Sequence, residues 1–175
     1  MDEQTLSIRP AVPADVEEFR QLCIETFVDT YNVYNTPENM QLYINTHYTP
    51  QRVLDEINSS TMQFYLAVAE DKLVGYVKMR TTDNPPELAG KKHIEIERIY
   101  VLPGYKGLKI GKSLIAHAAT VAREQQFEVL WLGVWEKNDH AMAFYTKQGF
   151  TVFGEHDFIL GTDRQKDWLM KLELV

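Results

Sequence analysis

The chain has 175 residues, 45% of them hydrophobic and 25% charged, with a formal net charge of −7. Such a length and composition describe one soluble globular domain, residues 1–175, large enough to bury a core. The acidic balance argues against nucleic acid as a partner, and no apolar run approaches the roughly 18 residues needed to span a bilayer.

The opening MDEQTLSIRP is acidic and polar, unlike a signal or transit peptide, and the single Cys23 has no partner for an internal disulfide. Both features set the expectation of a cytoplasmic protein. Leu6 and Ile8 alternate with Ser7 and Arg9 in a short first strand that stops at Pro10. From Pro13 to about Tyr31 the spacing of Val16, Phe19, Cys23 and Phe27 predicts a helix with one apolar face, which makes Cys23 a core residue. Thr36-Pro37-Glu38 and Thr49-Pro50 open two further helices, each with Thr as N-cap and Pro at the first helical position. This early helical layer is rich in aromatics and amides, Tyr31, Asn32, Tyr34, Tyr43 and Tyr48 among them. Its aromatic face suits packing on a sheet, and its hydroxyls with Glu25, Asp29 and Glu38 suit a wall for an amine.

Phe64 to Val68 is a buried strand, and Asp71-Lys72 turns it into a second running from Leu73 to Met79. On that second strand Val74, Tyr76 and Lys78 share one side. Asn84-Pro85-Pro86 breaks the sheet. The strand that follows, from His93, changes phase. Ile94 and Ile96 share one side and His93, Glu95 and Glu97 the other, yet Ile99 and Val101 have the parity of the acids. A period of two allows this only with an extra residue, so a bulge is expected near Glu97 or Arg98. Then comes Lys106-Gly107-Leu108-Lys109-Ile110-Gly111-Lys112-Ser113, three lysines and two glycines at the start of a helix that runs to about Gln125. Free N–H groups, the positive end of the helix dipole and the lysine charges all favour phosphate there. Val129–Val134 reads as a strand and Asn138 as the cap of a helix ending near Gln148. Phe150–Phe153 and Asp167–Leu174 read as two last strands, joined through Gly161-Thr162-Asp163. The strand–helix–strand order implies parallel pairing at the centre of a mixed α/β sheet with antiparallel strands around it.

Two motifs compete for the lysine-rich loop. A triphosphate P-loop places Gly five residues before Gly111, where this chain has Lys106, and no later apolar strand ends in an Asp to hold magnesium. The better match is the acetyl-CoA pyrophosphate loop of the GCN5-related N-acetyltransferase (GNAT) superfamily. Its pattern is Arg or Gln, two residues, Gly, one residue, then Gly or Ala; here the three places hold Lys106, Lys109 and Gly111. Residues 128–150, with Asn138, Ala141, Phe144-Tyr145 and Gly149-Phe150, resemble the second signature of the same superfamily. TFVDTY, NTPENMQLYI and ERIYVLPGYKGLKIG look most like bacterial spermidine/spermine acetyltransferases within it.

The resemblance implies a GNAT-like fold: a mixed, mostly antiparallel central sheet with a bulged central strand and flanking helices. It also implies direct acetyl transfer from acetyl-CoA to a primary amine such as a polyamine, with no metal and no covalent enzyme intermediate. Lys106, Gly107, Leu108, Lys109, Ile110, Gly111 and Lys112 are then the diphosphate loop. Backbone groups of Ile99, Tyr100 and Val101, freed by the bulge, suit the pantetheine amide and a developing oxyanion. By resemblance Asn138 holds the pantetheine arm, Phe144 belongs to the cofactor site, and Tyr145 is the acid for the leaving thiolate. An alkylamine is mostly protonated at neutral pH, so a base is needed; Glu97 is the first candidate, ahead of Glu95 and then His93. Glu97 could equally form a salt bridge to Arg98, to a Lys or to a sheet neighbour. His93, Glu95 and Glu97 alternate along one strand at about 7 Å steps, too far apart to converge on a metal. A CoA-binding sensor without turnover is the alternative from another class. The exposed edges of the last strands suit a homodimer.

Overall fold

The computed structural model describes residues 5–160 and 163–175. In chain order it contains β1 (Leu6–Pro10), α1 (Val16–Tyr31), α2 (Pro37–His47), α3 (Pro50–Ile57), β2 (Met62–Ala69), β3 (Lys72–Arg80) and β4 (His93–Val101). There follow α4 (Ile110–Glu124), β5 (Val129–Trp135), α5 (Asp139–Lys147), β6 (Thr151–Leu160) and β7 (Asp163–Glu173). The strands make one seven-stranded mixed sheet in the order β1-β2-β3-β4-β5-β7-β6. β4 and β5 are parallel, joined through α4, while β1/β2, β5/β7 and β6/β7 are antiparallel.

The helix starts follow their sequence signals. Thr36 Oγ1 accepts from Asn39 N–H and Thr49 Oγ1 from Arg52 N–H, both at 3.2 Å, with Pro37 and Pro50 next in line. The turn between β2 and β3 falls one residue earlier than expected. It is made by Glu70 (φ 52°) and Asp71 (φ 61°), the paired left-handed residues of a tight hairpin.

The chain divides into two compact units, Met1–Lys78 with Arg98–Leu114, and Met79–Glu97 with Ile115–Val175. In the first, α1 and α2 close on β2 and β3 through Phe19, Leu22, Phe27, Ile44, Leu66 and Tyr76. Cys23 belongs to this core, where burial pushes its thiol up to about 11 and leaves it inert. Tyr43 stacks on Phe27 with ring centroids 4.4 Å apart, while Tyr34 and Val33 stay exposed. Part of the aromatic layer is therefore packing and part is surface. In the second unit Leu88, Val129, Trp131 and Leu169 form a smaller cluster with Phe153 packed against it.

β6 and β7 reach well beyond the four and eight residues their apolar content predicts. Their outer halves pair in regular register from Glu155↔Trp168 to Leu160↔Asp163, supported by Glu155–Lys166 and Asp157–Arg164 ion pairs. A solvated hairpin held by backbone bonds and cross-strand charge has no hydrophobic alternation to betray it. The predicted Gly161-Thr162-Asp163 connection lies at residues 161–162 outside the described residues.

β4 carries the predicted change of phase. Glu97 Oε1 lies 3.2 Å from Arg80 Nη1, and Arg98 Nη1 donates to Tyr76 Oη at 3.2 Å. Arg80 and Tyr76 have the same parity on β3 and so the same side. Two successive residues of β4 therefore turn to one side, as a bulge at 97–98 requires.

Candidate active site

In the first unit, β4 leads through a short 3-10 turn at Pro103–Tyr105 into the lysine-rich loop. Gly107 (φ 85°) and Lys109 (φ 62°) both take left-handed backbone, which swings the chain so that α4 starts at Ile110. The amides of Ile110, Gly111 and Lys112 precede the first intrahelical bond, Ser113 N–H to Lys109 C=O at 3.1 Å. They are the free donors that a helix start offers to an anion. Ile110 is buried and anchors the turn, whereas Lys106, Gly107, Leu108, Lys109 and Lys112 are exposed. Lys109 and Lys112 make no ion pair among the described residues. Lys106 does: its Nζ lies 2.8 Å from Asp29 Oδ2 on α1. The donor set, three amides with three lysines, fits a diphosphate.

Lys109 stands at the first Gly place of the loop pattern and pays a left-handed penalty of about 1 kcal/mol that glycine escapes. Lys109→Gly also adds freedom to the unfolded chain, which offsets part of the gain. The expected net result is about 0.5 kcal/mol of added stability, read as a higher urea midpoint at unchanged m.

Ile99, Tyr100 and Val101 are half-buried at the end of β4. A Cβ on Gly75 would stand only 2.9 Å from the Tyr100 carbonyl oxygen, so β3 passes this backbone closely because it has no side chain there. The Tyr100 hydroxyl is 3.3 Å from that of Tyr31, and burial holds its pKa far above the ordinary phenol value, keeping it neutral. The Arg98 guanidinium donates to the hydroxyls of Tyr48 (2.8 Å) and Tyr76 (3.2 Å) and faces Glu56 at 3.5 Å.

The acids of β4 lie in the second unit and share one cation. Arg80 binds Glu95 through two bonds, Nε to Oε2 at 2.6 Å and Nη2 to Oε1 at 3.3 Å. It also reaches Glu97 Oε1 at 3.2 Å and, more loosely, Asp83 at 4.0 Å. Burial pushes the Glu95 carboxyl up and Arg80 pulls it back. Glu97 is the more accessible acid, its side chain 26% exposed against 10% for Glu95. The expected sheet neighbour of Glu97 is thus Arg80, which parity on β3 could have indicated. His93 is a poor base: its Nδ1 accepts from the Trp131 indole at 3.1 Å, and burial lowers its pKa.

The ladder between β4 and β5 holds His93↔Val129, Ile94↔Leu130 and Glu95↔Trp131. Within the second unit it goes no further among the described residues, although β5 continues to Trp135. Past β5, Asn138 Oδ1 caps α5 by accepting from Ala141 N–H at 3.1 Å, which leaves the amide NH2 for a ligand. Tyr145 is half-buried on α5, its ring 5.3 Å from Phe144 and edge-on to Phe150 at 5.9 Å. Gly149 (φ 98°) ends the helix as its C′ residue. The structure so groups Glu95 with Glu97 around Arg80, Phe144 with Tyr145, and residues 106–112 around the start of α4. Sequence reasoning missed Arg80, and it set Asp29 in a wall for an amine where the structure pairs it with Lys106; the partners lie 15 and 77 residues away. Among the described residues no three His, Cys, Asp or Glu side chains gather as a metal site, and no helix is long and apolar enough to cross a membrane.

The chain matches the Acetyltransferase (GNAT) family model over residues 19–150. It is 38% identical over 161 residues to an uncharacterized N-acetyltransferase of Lactobacillus delbrueckii subsp. lactis, covering 92% of this chain and 93% of that protein. A spermidine N(1)-acetyltransferase of Thermoplasma acidophilum is 27% identical over 152 residues, covering 85% and 89%. The fold superposes on the crystal structure of PaiA N-acetyltransferase from Thermoplasma acidophilum in complex with coenzyme A. That match has a TM-score of 0.78 at 24% identity and covers 97% of this chain and 99% of that one. With this fold and this sequence likeness along most of its length, the chain belongs to the Acetyltransferase (GNAT) family and is an acetyl-CoA-dependent N-acetyltransferase.

Proposed function

We propose that the acetyl group goes to a small cationic amine of the polyamine class. The observation that carries this reading is the gathering of acids at Arg80: Glu95, Glu97 and Asp83 all lie within 4.0 Å of its guanidinium. Carboxylates set this close together on and beside β4 suit an ammonium and disfavour an anionic acceptor. The spermidine N(1)-acetyltransferase among the relatives supports the same class.

Each residue then has a task its position supports. Glu97, the more exposed of the two β4 acids, takes the proton from the ammonium directly or through a water. The amides of Ile99–Val101 donate to the carbonyl oxygen as it gains charge. The loop from Lys106 to Lys112 holds the diphosphate, the Asn138 NH2 holds the pantetheine arm beside Phe144, and the Tyr145 hydroxyl gives a proton to the departing sulfur.

The test is release of CoA thiol from acetyl-CoA with a panel of acceptors at equal concentration: linear triamine, diamine, monoamine, amino sugar and peptide N-terminus. The expected order puts the triamine and diamine at least tenfold above the others in kcat/KM. An amino sugar or peptide leading the panel would overturn the substrate class. Tight CoA binding with no thiol release from any amine would favour a binding protein instead.

A further inference from the structure

Arg98 stands at the bulge of β4, and its side chain, 14% exposed, turns into the first unit. Three elements build a socket around the guanidinium. Nη1 donates to Tyr48 Oη at the end of α2 and to Tyr76 Oη on β3, while Nη2 lies 3.5 Å from Glu56 Oε2 on α3. The guanidinium carbon is also 5.3 Å from the centroid of the Tyr48 ring and 5.7 Å from that of Tyr76, within reach of both aromatic faces.

The walls of this socket are held independently of Arg98. Tyr48 and Tyr76 are buried, with Phe27 edge-on to the first at 5.9 Å and Phe19 edge-on to the second at 5.0 Å. Burial pushes both phenols above their ordinary values, so they stay neutral acceptors. Glu56 also faces Lys78 Nζ at 3.4 Å and Arg52 Nε at 3.7 Å. Taking a guanidinium out of water is costly, and an apolar side chain often fills such a space with no loss of stability. What the ion adds is direction. A planar fork with fixed donors fits one orientation, and the backbone that carries it follows.

That backbone is the run that Proposed function assigns to the carbonyl oxygen. Arg98 leads directly into Ile99, Tyr100 and Val101. Just beyond them Leu102 N–H donates to the Val74 carbonyl at 2.8 Å, and a Cβ on Gly75 would come within 2.9 Å of the Tyr100 carbonyl oxygen. The three amides thus hang between two fixed points, the socket before them and the β3 backbone after them. A bulge disrupts the ladder that would otherwise set their direction, so the side chain at the bulge has to set it.

We propose that Arg98 is a positioning residue, whose guanidinium, held by Tyr48, Tyr76 and Glu56, sets the direction in which the Ile99–Val101 amides meet the thioester carbonyl. This rests on those amides being the donors to the developing oxyanion, and adds what keeps them aimed. A misplacement of about 1 Å can cost about 10²-fold in rate. An interaction made only in the transition state is lost from kcat, with KM spared.

The experiment compares steady-state rates and melting temperatures of the full chain in wild type, Arg98→Met, Arg98→Lys, the pair Tyr48→Phe with Tyr76→Phe, and Leu22→Ala. Leu22→Ala is a core control that keeps every side chain of the socket. Arg98→Met does not strand Glu56, which retains Lys78 and Arg52. In Arg98→Met kcat is expected to fall about tenfold or more, with KM for acetyl-CoA within about threefold of wild type. Arg98→Lys keeps the charge without the fork and should recover little of that loss. The tyrosine pair should lose less kcat than Arg98→Met, and Leu22→Ala should melt lower at unchanged kcat. Amide proton and nitrogen resonances of residues 99–101 read the geometry separately in the tyrosine pair, whose substitutions lie on other elements and keep both rings. Those resonances are expected to move.

Full kcat in Arg98→Met overturns the proposal. The resonances then separate the causes: if they move, the amides are aimed by the socket and the oxyanion reading fails; if they stay, the socket itself fails. Wild-type kcat in Arg98→Lys also overturns it, because charge alone then suffices. An equal loss of kcat in Leu22→Ala assigns the effect to the fold and overturns it too. Should Arg98→Met not fold, the tyrosine pair decides: a lower kcat with moved resonances supports the proposal, and full kcat overturns it.

Discussion

Tyr145→Phe is expected to lower kcat by about 10²-fold, within the range for loss of a positioned general acid, while KM for acetyl-CoA stays within about twofold. The substitution removes one oxygen and keeps the ring that packs against Phe144 and Phe150, so fold and loop geometry survive. In the mechanism proposed above, what is lost is a proton for the sulfur. A phenol near pKa 10 and an alkyl thiol near 8.5 differ by only about 1.5 units, so transfer between the two classes is close to balanced. Without it the thiolate leaves bare, and the barrier rises when the carbon–sulfur bond breaks, not when the ligand binds. Steady-state rates with acetyl-CoA and the best acceptor read this directly. Full kcat in Tyr145→Phe would remove Tyr145 as the acid and leave it an aromatic on a helix face.

The second large effect is on stability. Arg80→Ala leaves the Glu95 carboxyl, 10% exposed, beside Glu97 with no cation. Removing one partner of a buried pair costs about 3 kcal/mol, a deficit that a urea unfolding curve at neutral pH resolves. Its pH dependence has a definite sign. In the native wild type burial already raises the Glu95 pKa, and Arg80 opposes that rise; removing Arg80 raises the folded-state value further. A raised carboxyl contributes stability that is fully present below the unfolded-state pKa, near 4.3, and is lost as pH climbs through the folded-state value. The deficit of Arg80→Ala relative to wild type should therefore be smaller at pH 5 than at pH 8. Arg80→Ala combined with Glu95→Gln should recover much of it, because a neutral amide no longer needs the cation. A deficit independent of pH, or no recovery in the double variant, would assign the loss to packing.

Local chemistry was legible where it is written locally. Thr36, Thr49 and Asn138 cap the helices their neighbours predict, and Gly149 closes α5. The break in β4 could be read from parity alone, because a strand that shifts from Ile94/Ile96 to Ile99/Val101 has no regular solution. What stayed hidden depends on contacts distant in sequence. Arg98 looked like a partner for Glu97 because they are adjacent, yet it turns to Tyr48 and Tyr76, 50 and 22 residues away. Arg80 reaches both carboxylates, since it lies on the side of β3 to which Glu95 and Glu97 point. Lys109 could be matched to a glycine place in a pattern, but only backbone geometry reveals that it adopts glycine's φ. The outer halves of β6 and β7 carry charge pairs in place of hydrophobic alternation, so their strand character has no signal in composition.

Direct transfer is most sharply tested by initial rates of thiol release over a matrix of acetyl-CoA and triamine concentrations, with the product identified by mass. A base at Glu97 and an acid at Tyr145, with no nucleophile of the protein's own, predict double-reciprocal lines that intersect, and an N-acetylated amine as the product. Parallel lines with an acetylated protein, or thiol release at a rate indifferent to the amine, would contradict it.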